Sequence, residues 1–139
     1  MTTQNQDLLD IFNSFATDAD AETNGKWFRI GAKAKVKVAR EGNDRYNEEF
    51  KRLFEEHSMA LADGGPAADA LAADIMLQVQ AKTILVGWEG LAYQGKAVEY
   101  SPEMAKTMLG VKDFRKKILE ISRSFDNYRI KAEEQQGNA

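Results

Sequence analysis

The chain has 139 residues, of which 43% are hydrophobic and 29% charged, with a formal net charge of −3. Those values belong to a globular domain large enough to bury a core of its own, and they exclude an intrinsically disordered chain. There is no cysteine, which excludes disulfides, thiolate metal sites and cysteine nucleophiles, and no run approaches the roughly 18 apolar residues of a membrane helix.

The opening segment, MTTQNQDLLD, has neither a basic n-region nor an apolar h-region. It does not read as a secretory signal, so a cytosolic location in the producing cell is expected. Charge is unevenly distributed along the chain. Residues 1–25 hold Asp7, Asp10, Asp18, Asp20 and Glu22 without a Lys or Arg, whereas residues 26–40 hold Lys26, Arg29, Lys33, Lys35, Lys37 and Arg40 without an acid.

In chain order, Leu8, Ile11/Phe12 and Phe15 recur at helical spacing and predict a short amphipathic helix over residues 6–16. Asp18–Asn24 reads as an acidic loop closed by the turn pair Asn24-Gly25. Residues 26–40 alternate with period two and predict a β-hairpin. Phe28, Ile30, Ala34, Val36 and Val38 point one way, Trp27, Arg29, Lys33, Lys35 and Lys37 the other, about a two-residue turn at Gly31-Ala32. Gly42-Asn43-Asp44 supplies a turn and an N-cap for a helix over about 44–61, striped by Tyr46, Phe50, Leu53, Phe54 and His57. Gly past its end and Pro66 just inside the next start open an Ala-rich helix over 66–86, with Leu71, Ile75, Val79 and Val86 on one face.

That helix is expected to break at Gly87, just before Trp88. An aromatic-bearing corner then runs through Gln94-Gly95 to Ser101-Pro102, an N-cap and first-turn pair for a short helix over about 102–109. The last helix is predicted over about 111–134. Val111, Phe114, Ile118, Ile121, Phe125, Tyr128 and Ala132 step by three and four, a heptad seam three repeats long. The last residues, 135–139, have no apolar anchor and are expected to fray. The sum is a single α+β domain over 1–139, mainly α-helical, with the N-terminal β-hairpin packed on four or five helices.

No residue pattern supplies an active site. His57, the sole histidine, lies beside an apolar stripe with no nucleophile or ligand pattern attached, and the neighbouring pairs Glu48-Glu49 and Glu55-Glu56 point about 100° apart on a helix. No P-loop, HExxH, GxSxG or Asp-rich metal loop occurs, so no catalytic residue, cofactor or metal is expected. Two surfaces stand out instead. Lys33, Lys35 and Lys37, with Trp27 beside them, suit either nucleic acid with a stacking aromatic or an edge strand guarded by lysines, and the net negative charge favours the second. The acidic 1–25 segment can also pair with this hairpin, within one molecule or between subunits. The seam residues Phe114, Ile118, Ile121, Phe125 and Tyr128 are candidates for a partner helix or self-association, while Gly87, Trp88 and Ser101 read as the structural corner.

These pieces occur in a telling order. A Trp27-Phe28 strand and a Lys37-Val38-Ala39-Arg40 strand precede the helix GNDRYNEEFKRL. ILVGWEGL, a Gly-Lys connection, Tyr100-Ser101-Pro102-Glu103 and an Asp113-Phe114-Arg115 helix then follow. Over residues 24–128 this order resembles phage tail assembly chaperones, most of all the small tail chaperones of siphophages. The resemblance implies a non-enzymatic protein that binds the tape measure protein and helps recruit tail tube protein around it. It also implies action in the host cytoplasm and absence from the mature virion. A virion structural subunit and a nucleic-acid-binding regulator working through residues 26–40 are the alternatives. Homo-oligomers are compatible with all three, and no membrane partner is implied.

Overall fold

Strand β2 (Lys35–Val38) lies at the centre of a three-stranded antiparallel sheet, between β1 (Lys26–Arg29) and β3 (Leu85–Glu89). The computed structural model describes residues 7–130. The alternation read from the sequence holds for the first two strands. Val36 and Val38 are fully buried while Lys35 and Lys37 stay on the outer face, and Trp27 pairs with Lys37 as Phe28 pairs with Val36. The hairpin loop is longer than predicted. Arg29 pairs with Lys35, so five residues, Ile30–Ala34, make the turn, and both Ile30 and Gly31 donate to the Ala34 carbonyl.

The third strand was not foreseen. Residues 85–89, expected to begin as the end of a helix, are extended: Trp88 pairs with Val36 and Leu85 with Val38. One extra residue, Val86, shifts the register between those pairs, and this bulge turns Leu85 inward opposite Val38. A short apolar run does not distinguish a helix end from a buried strand; here the unpaired edge of β2 decides. Val86 leans instead toward Gly25, where a Cβ would stand 2.8 Å from its Cγ2.

Seven helices surround the sheet among the described residues. The predicted acidic loop is a helix, α2 (Ala19–Asn24), because the Asp18 carboxylate accepts from Asp20 and Ala21 N–H and satisfies its first turn. Before it comes α1 (Ile11–Phe15), shorter than the predicted 6–16. The long helix expected over 44–61 divides at His57 into α3 (Asp44–Glu56) and α4 (Ser58–Ala62), and Asn43 caps α3 as expected by accepting from Tyr46 N–H. The central helix α5 (Gly65–Thr83) packs on α3, α4, α6 (Pro102–Leu109) and β3. Helix α7 (Lys112–Arg123) closes the set, followed by a 3-10 turn at Phe125–Asn127.

Two apolar clusters result. The larger lies under the sheet, where Val36, Val38, Ile84, Leu85 and Trp88 meet Ala105, Met108 and Leu109 of α6 and Ile118 of α7. The smaller joins Leu53 of α3 to Ile75 and Val79 of α5. Helix α5 thus faces a core on more than one side, which is why its apolar residues do not keep to the single stripe expected of them.

Candidate functional site

The basic strand does not guard an edge. Because β2 is the middle strand, its lysines stand on the outer face of the sheet, and the edge-protecting role expected for them is corrected. Lys35 pairs with Glu89 at 3.3 Å and its ammonium lies 4.8 Å from the centre of the Trp27 ring. The Arg29 guanidinium donates to the Ala32 carbonyl at 2.7 Å, and Lys33 is exposed in the turn. Trp27 itself remains 42% exposed. The face is a cationic platform with one aromatic at its centre.

The corner is structural in every contact it makes. Trp88 is 7% exposed, donates from Nε1 to the Val98 carbonyl at 2.8 Å, and meets the Tyr100 ring edge-on at 5.0 Å. Tyr100 in turn donates to the Ala81 carbonyl of α5. A two-residue hairpin, β4 (Ala92–Tyr93) and β5 (Lys96–Ala97), turns at Gln94-Gly95 and brings the chain back over Trp88. Ser101 then caps α6 by accepting from Met104 N–H at 3.0 Å. At Gly87 a Cβ would stand 3.3 Å from the Lys37 Cβ and 3.8 Å from the Trp27 ring, a close but not blocked approach. Gly90, at φ +74, passes so close to the Lys33 carbonyl that any Cβ would collide with it.

The heptad seam is corrected. The helix stops at Arg123, so Phe125 and Tyr128 do not continue the face of Phe114, Ile118 and Ile121; Ala132 lies outside the described residues. Ile118 is fully buried and Tyr128 is 1% exposed, while Phe114, Ile121 and Phe125 are half-buried. The reason is tertiary. Asn127 donates to the Ile121 carbonyl at the helix end, and Tyr128 turns under the sheet to donate to the Val38 carbonyl at 2.8 Å. Burial holds the Tyr128 phenol well above its ordinary range.

The remaining polar candidates are supports. His57 is half-buried and ends α3. Glu49 bonds Arg52 and Lys82, tying α3 to α5, and these partners hold its carboxyl below the usual range. Among the described residues no three His, Asp or Glu side chains gather as metal ligands.

One feature was not legible in the sequence. Ala73, Met76, Leu77 and Gln80, at i, i+3, i+4 and i+7 of α5, line a groove of about 210 Å³ closed by Arg115 of α7. Gln80 is 6% exposed, and its Oε1 accepts no hydrogen bond among the described residues. Arg115 is held in place by donating to the Leu109 carbonyl at 2.8 Å, with further N–H groups to spare. Leaving a buried acceptor unpaired costs about 1–3 kcal/mol; the groove itself offers apolar walls with a cation beside them. The helical spacing could be read from the sequence; the burial of Gln80 and the arrival of Arg115 beside it could not.

Compared with known proteins, residues 41–138 match the model of the YdaY prophage protein family. Neither a curated protein nor a solved structure matches the chain.

Proposed function

The chain belongs to the YdaY prophage protein family, and from that premise we propose that it is a non-enzymatic tail assembly chaperone. In this reading it binds the tape measure protein, keeps it soluble and assists assembly of tail tube protein around it. It acts in the host cytoplasm and leaves before the virion matures.

Three things support the reading: the phage origin of the family, the residue pattern over 24–128 that resembles tail chaperones, and the groove on α5. The groove is the observation that carries it. A stripe at i, i+3, i+4 and i+7 with apolar walls suits an amphipathic helix laid alongside, the mode by which grooves take helical partners. The Arg115 guanidinium, fixed by the Leu109 carbonyl, would meet an acceptor on that helix.

The test is co-expression with the tape measure protein of the same prophage, followed by pull-down and size exclusion. The tape measure protein is expected to become soluble and co-elute. Ala73→Glu, at an exposed position of the groove, should weaken co-elution roughly tenfold or more while leaving the melting temperature nearly unchanged. An insoluble tape measure protein, together with this chain in purified virions, would overturn the reading in favour of a structural subunit.

A further inference from the structure

The acidic and basic segments of this chain are complementary, yet within one copy they barely meet. Of the five acids in residues 7–25, Glu22 alone forms an ion pair among the described residues, with Arg40 at 2.8 Å. Asp10 and Asp18 cap helices, and Asp20 accepts from the Asn24 side chain. On the outer face of the sheet, Lys35 alone is paired with an acid, while Arg29, Lys33 and Lys37 form no ion pair among the described residues.

The same two regions hold unmatched apolar surface. Leu8, Leu9, Ile11, Phe12 and Phe15 are 70%, 66%, 63%, 69% and 52% exposed, and Trp27 at the centre of the basic face is 42% exposed. This arm is not loosely attached. Phe15 stacks on Phe125 at 5.6 Å, Ile130 donates to the Ala16 carbonyl, and Asp18 donates to the Tyr128 carbonyl. Its base is thus fixed to the body while five large side chains stand in solvent.

We propose that the arm of one copy docks on the outer sheet face of a second copy, and reciprocally. The apolar side chains would cover Trp27 and the lysine stems, while Asp7 and Asp10 meet the cations of Arg29, Lys33 and Lys37. Area favours a second copy exchanging both arms over a single contact. Five such side chains expose on the order of 600 Å² per arm, and two arms with their receiving faces reach or exceed the roughly 1,200–2,000 Å² of a stable interface. Exchange also explains why neither surface is covered within one copy.

The experiment is sedimentation equilibrium of the full chain, alone, across concentrations up to about 200 µM. Wild type is expected to dimerise, with a dissociation constant that weakens several-fold between about 0.05 and 0.5 M salt. Leu9→Asp/Phe12→Asp and, separately, Arg29→Glu/Lys33→Glu are each expected to weaken the dimer roughly tenfold or more, with helix content and melting temperature retained. A wild type that stays monomeric overturns the proposal. So does an arm variant that still dimerises as wild type does. A face variant that dimerises normally would show arms pairing with arms, and overturns it too. None of these outcomes bears on tape measure binding, which rests on a different set of residues, those of the α5 groove.

Discussion

Two short apolar segments of similar composition meet opposite fates. Leu8–Phe15 contributes Leu8, Leu9, Ile11, Phe12 and Phe15, all more than half exposed, whereas Ile84, Leu85 and Trp88 are at most 7% exposed. Hydrophobicity does not separate them. The difference is what the backbone can pair with. Residues 85–89 find the open edge of β2 on one side and α6 above it, so the main-chain groups that face β2 are satisfied as Leu85 and Trp88 go inward. The N-terminal segment makes one turn and a half of helix and, among the described residues, is tied to the body at Phe15–Asp18. Among the described residues it has no second element against which to lie. Apolar residues are buried by the partner that their backbone can accept, and one of these segments has that partner in the same copy.

The contrast can be broken most severely at Trp88. Trp88→Ala removes a buried indole, its bond to Val98 and its contact with Tyr100, and should cost about 3–5 kcal/mol, seen as a large fall in the midpoint of denaturant unfolding. A loss under about 1 kcal/mol would mean that the strand is held by its ladder alone.

A smaller effect is expected where the end of the chain locks onto the sheet. Tyr128→Phe keeps the ring against Phe28 but loses the bond to the Val38 carbonyl. It should cost about 1–2 kcal/mol, read in the same unfolding experiment. The phenol's raised pKa sets the sign with pH: a group that ionises less readily when folded stabilises below its ordinary pKa of 10.0 and loses that contribution above it. The stability gap between wild type and Tyr128→Phe should therefore narrow as pH rises past that value.

The smallest effect sharpens the comparison. Phe12→Ser, at a position 69% exposed, should change monomer stability by less than about 0.5 kcal/mol. A larger loss would show that the arm packs on its own body in solution.

Local chemistry was enough for many elements. Period-two alternation over residues 26–38, the Asn43 and Ser101 caps, Pro66 and Pro102 in first turns and the stop near Gly110 all follow from neighbours in sequence, because caps and turns are satisfied within three or four residues. The mainly helical α+β class follows from the same signals. What sequence by itself could not decide were the choices set by distant partners. The run at 84–88 could have ended a helix; the edge of β2 made it a strand. The heptad steps of residues 111–132 could have continued one helix, but Tyr128 reaches Val38 and bends the chain after Arg123. The lysines of β2 lost their edge role once β3 paired beside them; the helix at Ala19–Asn24, by contrast, rests on the local Asp18 cap. Gln80 and Arg115, which carry the proposed groove, are 35 positions apart in the sequence. Only the tertiary fold brings Arg115 to the groove beside Gln80, because that juxtaposition depends on long-range contacts which no local pattern encodes.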